Sequence, residues 1–195
     1  MGPKISSLPK DELVGIESRL EELTNLLRFE VNDVRVVGIS GMAGIGKTTL
    51  ARALYERICH QYDFRCFIDD VSKLYRDSSS LGLQKQLISQ SPNEKNIEIC
   101  NAFEGTCLVW SRLHNARALV VLDNIDQVEQ LRMFTGNRDT LLRECLGGGS
   151  KIVIISRDKH ILRTYGVDDI YQVQPLGWKM LCSCFVEMLS KLIIF

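Results

Sequence analysis

The chain has 195 residues, and its 24 Lys and Arg balance 24 Asp and Glu, so the formal charge is zero. That balance gives no support to a basic nucleic-acid platform or an acidic tail. A hydrophobic content of 45% with four prolines suits one globular domain long enough to bury a sizeable core.

Residues 1–12 are polar, carry two prolines and read as a linker. Ile16, Leu20, Leu23, Leu26 and Leu27 recur at helical spacing, which predicts an amphipathic helix over 16–29. A short apolar, β-branched run over 34–39 predicts a buried strand. A glycine loop follows it, then a helix over 47–61. A second strand is expected over 66–71, and the serine-rich stretch 76–80 reads as a loop. Leu83, Leu87 and Ile88 predict a helix, which Ser91-Pro92-Asn93 breaks. Cys107, Leu108, Trp110 and Leu113 predict another.

The uniformly apolar run 118–122 predicts a third strand, followed by short helical segments over 128–134 and 140–146. Strands are expected over 151–156 and 170–173, the first of them after the Gly147-Gly148-Gly149-Ser150 turn. Strands alternating with helices predict an α/β fold, a parallel sheet with helices on both faces. The seven cysteines are irregularly spaced; Cys59, Cys66, Cys100, Cys107 and Cys145 lie in apolar-patterned segments and read as small buried hydrophobes. The apolar stretch 178–195 is interrupted by Lys179, Glu187 and Lys191, which argues against a membrane span.

Gly41-Met42-Ala43-Gly44-Ile45-Gly46-Lys47-Thr48 fits GxxxxGK[ST] in full, between a strand and a helix. Glycines allow backbone conformations that turn successive amides inward as an anion nest. The helix N-terminus adds unpaired N–H groups and partial positive charge. Lys47 supplies a full charge for the β- and γ-phosphates, and the Thr48 hydroxyl is placed to ligate magnesium. The pattern thus marks Gly41, Gly44, Ile45, Gly46, Lys47, Thr48 and the following Thr49 as nucleotide-binding candidates.

The third strand ends in Asp123, a carboxylate placed to hold magnesium opposite Thr48. Asn124 follows where many hydrolytic relatives of such a loop carry a second acid, and a carboxamide cannot accept the proton. Hydrolysis is therefore expected to be slow or to use another base. Asp126 is one candidate, although a helix N-cap is the reading favoured for it. The strand over 151–156 ends in Ser156 and Arg157, expected to face the γ-phosphate, with Arg157 reporting its presence. A solvated Arg157 pairing with Asp158 or a neighbour is the alternative.

Together these segments resemble the NB-ARC domain of plant disease-resistance proteins, a branch of the signal-transducing P-loop ATPases. The resemblance rests on GMAGIGKTT (41–49), LVVLDNID (119–126) and GSKIVIISRDKHIL (149–162). LVGIESRLEEL (13–23) and YQVQPL (171–176) extend it over about 13–176. Trp110 and the 123–126 stretch favour the class that carries an N-terminal TIR domain.

The resemblance implies a three-layer P-loop sandwich with five parallel strands in the order 5-1-4-3-2. It implies that Val14 and Gly15 line an adenine pocket, that Gly44, Gly46, Lys47, Thr48 and Thr49 cradle phosphates, that Asp123 serves magnesium and that Arg157 senses the γ-phosphate. The cofactors implied are ADP or ATP with Mg2+, in a switch that rests with ADP and signals after exchange for ATP, in cytoplasm or nucleus, during defence. Full-length resistance proteins and other NB-ARC or TIR proteins are the implied partners. Residues 177–195 depart from the pattern, so the chain reads as a truncated member with a divergent tail. Two other readings stand beside the switch. One is a non-enzymatic adaptor or decoy acting on full-length receptors. The other is a small-molecule kinase, for which Arg138 and Arg143 are the only lid candidates.

Overall fold

A computed structural model describes residues 16–89, 99–114, 116–134 and 142–175. The expected linker 1–12, the break at 91–93 and the tail 177–195 lie outside these residues. Five strands form one parallel sheet: β1 (Arg35–Ser40), β2 (Phe64–Ile68), β3 (Ala118–Ile125), β4 (Lys151–Ser156) and β5 (Asp169–Gln172). Their order is β2-β3-β4-β1-β5, which is the expected 5-1-4-3-2 read from the other edge. The helices are α1 (Ile16–Leu27), α2 (Lys47–Ile58), α3 (Val71–Ser89), α4 (Ala102–Leu113), α5 (Val128–Met133) and α6 (Lys159–Tyr165).

The strands read as continuous apolar runs because both faces of the sheet are covered. Successive side chains divide between two cores. Val37, Ile39, Leu119, Val121, Val153 and Ile155 face α1 and α2. Val36, Val120, Leu122, Ile152 and Ile154 face the layer of α3, α4 and α6. Gly38 sits between these β1 residues, and a Cβ there would lie 2.8 Å from Leu162 Cδ1, so α6 packs hard against bare backbone.

The N-terminal edge of the sheet is held by polar contacts. Asp168 Oδ2 accepts from the Val36 amide (2.7 Å), and Val36 O accepts from the Asp168 amide (2.8 Å). Fully buried Lys151 donates to Asp33 Oδ1 (3.2 Å) and Asp33 O (3.3 Å). These contacts leave the opposite edge, where β1, β3 and β4 end, open for the loops that build the site.

Three expectations are corrected. The stretch 76–80 lies inside α3, because Val71, Leu83, Leu87 and Ile88 bury one helical face and that packing overrides the weak helix propensity of serine. β2 ends at Ile68 rather than 71; Asp70 takes a left-handed φ of 44° and Val71 opens α3. Cys66 and Cys145 are buried, but Cys100 and Cys107 are exposed, since α4 turns Val109 and Leu113 inward instead.

Leu119 is fully buried in the second strand from the sheet's edge. Leu119→Ala is expected to lower unfolding stability by about 2–5 kcal/mol, measured by denaturant titration.

Candidate nucleotide site

Residues 41–46 leave the end of β1 and enter α2 at Lys47. Gly44 and Gly46 take φ of 74° and 92°, a left-handed backbone that side chains resist. A Cβ placed at either would meet no atom within 4 Å. Their requirement is conformational, and the space above them is open. Among the described residues the amides of Lys47, Thr48 and Thr49 have no acceptor, as the first turn of a helix dictates. Leu50 is the first to bond backward, to Gly46 O at 2.9 Å.

Lys47 is buried, and its ammonium donates to the carbonyls of Gly41 (2.9 Å) and Met42 (2.7 Å). It is folded back over the loop. Burial lowers its pKa from the ordinary 10.5, the nearby Arg157 charge lowers it further, and Asp123 opposes both. Thr48 Oγ1 lies 3.0 and 3.2 Å from the two carboxylate oxygens of Asp123, at the end of β3. A hydroxyl within hydrogen-bond distance of a carboxylate is an oxygen-donor set that suits a hard divalent cation.

These groups line one cavity of about 370 Å³. Gly44, Gly46, Lys47, Thr48 and Thr49 form its floor, with Asp123 on one wall and Arg157 on another. Arg157 is exposed and has no hydrogen-bond or ion-pair partner among the described residues. Asp158 does not bind it; its carboxylate caps α6 by accepting from the His160 amide (2.7 Å). β4 lies between β1 and β3, so the end that carries Arg157 sits between the phosphate-loop strand and the acidic strand.

The profile of the NB-ARC domain matches residues 16–191 of this sequence. The chain belongs to the NB-ARC domain family. It is 33% identical over 174 residues to disease resistance protein RPV1 of Vitis rotundifolia, covering 89% of this chain and 12% of that protein. It is 36% identical over 182 residues to TMV resistance protein N of Nicotiana glutinosa, covering 89% of this chain and 15% of that one. The chain thus spans less than one fifth of these relatives' lengths.

Among solved structures, Cdc6p of Pyrobaculum aerophilum superposes with a TM-score of 0.66 at 18% identity, over 96% of this chain and 52% of that one. The ADP form of the Aeropyrum pernix ORC2 protein gives 0.58 at 15%, over 96% and 55%. At these identities the likeness establishes the P-loop fold shared by this NB-ARC chain.

The expected site residues of the NB-ARC chain fall into three groups. Gly44, Gly46, Lys47, Thr48, Thr49, Asp123 and Arg157 converge on the cavity. Gly41 and Ile45 stand behind it, with Ile45 packed against the α1–α2 core. Val14 and Gly15 lie outside the described residues.

Ser156, expected to face the γ-phosphate, also lines the cavity, but its hydroxyl donates to Ile125 O (2.7 Å) and accepts from the Asp158 amide (3.1 Å). It laces β4 to β3. Asp126 is not the N-cap of α5; Gln127 is, in a capping box with Gln130. Asp126 is held instead by Ser72 (2.5 Å), Arg76 (3.5 Å) and Gln130. Arg143 bonds Gly166 O (3.2 Å) and Asp168 (3.1 Å) at the other edge of the sheet, and so forms no lid; Arg138 lies outside the described residues.

The sequence reading passed over Asp70, which lines the cavity and accepts from Asn124 Nδ2 at 2.7 Å. Its only signal in the sequence is a carboxylate near the end of the run that predicts a strand over 66–71.

Burial raises the pKa of Asp123 above 3.8, with hydrogen bonds from Thr48 and the Asn124 amide opposing. A carboxyl whose folded pKa is raised holds its proton more tightly folded than unfolded. Ionised Asp123 therefore weakens the fold at neutral pH, and the penalty fades as pH falls through the folded value toward 3.8. Asp123→Asn is expected to raise the Tm of the nucleotide-free protein at pH 7 by a few degrees, with the gain shrinking on acidification. A calorimetric pH series checks both signs.

Proposed function

We propose that this NB-ARC chain is the ADP/ATP-binding switch module of a plant immune receptor, holding adenine nucleotide with Mg2+ and hydrolysing ATP slowly if at all. One observation carries the reading. The amides of the helix's first turn and Arg157, which have no partner among the described residues, line one cavity with the Lys47 ammonium and the Thr48–Asp123 oxygen pair. Amides and ammonium match a polyphosphate. The oxygen pair fits a phosphate-bound magnesium, which when present would neutralise phosphate charge.

In this reading Lys47 gives up its carbonyl partners and turns to the phosphates, whose charge relieves the desolvation that lowers its pKa. Thr48 and Asp123 are the oxygen donors that would hold the metal. Arg157, without a partner among the described residues, would take the γ-phosphate as one, which makes it the discriminator between ATP and ADP. Asn124 cannot accept a proton, which supports slow turnover and hence a state long enough lived to signal.

The relatives' names associate them with disease resistance, and that association supports placing the module in an immune receptor. Signalling partners and residence in cytoplasm or nucleus follow from the same proposal. No helix among the described residues is long and apolar enough to cross a membrane.

The test is calorimetric titration with Mg-ADP and Mg-ATP. Lys47→Ala should weaken both by about 10- to 100-fold, the loss of one charge-assisted contact set. Unchanged ADP affinity in that variant defeats the reading. Arg157→Ala should weaken ATP by about tenfold while leaving ADP nearly untouched. Equal losses for the two nucleotides remove the sensor role. Phosphate release by the unaltered chain should run on the order of 10⁻² s⁻¹ or slower, read with a phosphate-binding fluorophore.

A further inference from the structure

Slow hydrolysis still needs somewhere for a water proton to go. We infer that Asp70 is the carboxylate that receives it, a catalytic residue supplied by β2's end in place of the acid that β3 lacks at Asn124. This rests on the nucleotide reading above.

The neighbouring acids are otherwise engaged. Both oxygens of Asp123 face the Thr48 hydroxyl. Asp126 is held through both oxygens by Ser72, Arg76 and Gln130; it lines an adjoining cavity of about 320 Å³ that shares Asn124, Ser156 and Arg157 with the phosphate cavity, and is not itself among the phosphate cavity's lining residues. Asp69 is paired with Arg52 and does not line the phosphate cavity. Asp158 caps α6.

Asp70 alone of these stands in the phosphate cavity with a free oxygen. Its Oδ1 accepts from Asn124 Nδ2 (2.7 Å) and from the Lys73 amide (3.3 Å). Its Oδ2 has no partner among the described residues.

The backbone supports the assignment independently. Asp70 and Asn124 both adopt left-handed conformations, φ 44° and 56°, at the ends of adjacent strands. β3 reaches Asn124 through the irregularity between Leu122 and Ile125. Asp and Asn tolerate that region better than other side chains, yet it remains unfavourable. Residues held there against local preference concentrate at active sites. Here the two strained residues are bonded to each other, so the Asn124 carboxamide fixes one carboxylate oxygen of a cavity-lining residue and leaves the other without a partner among the described residues.

The step balances without a further reactant. The oxygen of water bonds to the γ-phosphorus. The bond from that phosphorus to the bridging oxygen breaks, and ADP leaves with the electron pair. The water proton passes to Asp70 Oδ2 and then to solvent, so ATP and water give ADP, phosphate and a proton.

The experiment measures Mg-ATP and Mg-ADP affinity alongside single-turnover phosphate release, in the unaltered chain, in Asp70→Asn and in the double variant Asp70→Asn with Asn124→Asp. Asp70→Asn keeps the shape, the backbone tolerance and a hydrogen-bonded pair. It should bind both nucleotides within about twofold of the unaltered chain. Its phosphate release should fall at least about tenfold, as for loss of a general base. The double variant returns one carboxylate to the pair and should recover much of the rate.

Phosphate release at the unaltered rate by a nucleotide-binding Asp70→Asn overturns the assignment. So does an unaltered chain that binds ATP and releases no phosphate. If the single variant does not fold, the double variant decides, and failure to release phosphate while binding ATP counts against Asp70. Failure of the unaltered chain to bind either nucleotide overturns the underlying reading as well, and is distinguished by the affinity measurement.

Discussion

The arrangement depends on a helix that begins with unpaired donors. Two left-handed glycines, Gly44 and Gly46, bring the chain into α2 so that the first-turn amides point into open space. Such groups need an acceptor, and the fold provides none for Lys47, Thr48 or Thr49 among the described residues. Lys47 meets the same shortage by folding onto the loop's own carbonyls. The sheet holds these elements in place: β1 sits between β4 and β5, and Gly38 lets α6 close against it.

Without ligand, the site works against the stability of the fold that carries it. Lys47 is desolvated beside Arg157, and Asp123 is buried, with hydrogen bonds and the Arg52 charge offsetting only part of the lost water. Both shifts run toward the neutral form. A bound polyphosphate and metal would reverse both, because each supplies the opposite charge where it is lacking. Nucleotide binding and folding are therefore coupled in sign, and occupancy stabilises the domain by mass action. On the proposed function, a switch built this way would respond to nucleotide identity through Arg157 without rebuilding its core.

Much of this was legible in the sequence, for physical reasons. The runs ending at Ser40, Leu122 and Ser156 are buried on both faces, so they appear as unbroken apolar stretches between polar loops. The phosphate loop is legible because few residue types tolerate its backbone. Other features were hidden. α3 absorbs the serine-rich 76–80 because its stability comes from Leu83, Leu87 and Ile88 packing on the sheet, a tertiary effect.

The Asp70–Asn124 bond joins residues 54 positions apart through strand pairing, and no local pattern announces it. Ser156 looked like a ligand because it ends a strand beside the site. Only the register between β3 and β4 shows its hydroxyl spent on Ile125.

The central claim is that backbone amides of the loop and first helical turn receive the nucleotide's phosphates. Amide chemical shifts followed by NMR during titration with Mg-ADP test it most directly. The account predicts that Gly44, Gly46, Lys47, Thr48 and Thr49 move furthest and saturate together. Saturation of binding with those five amides unmoved would contradict it.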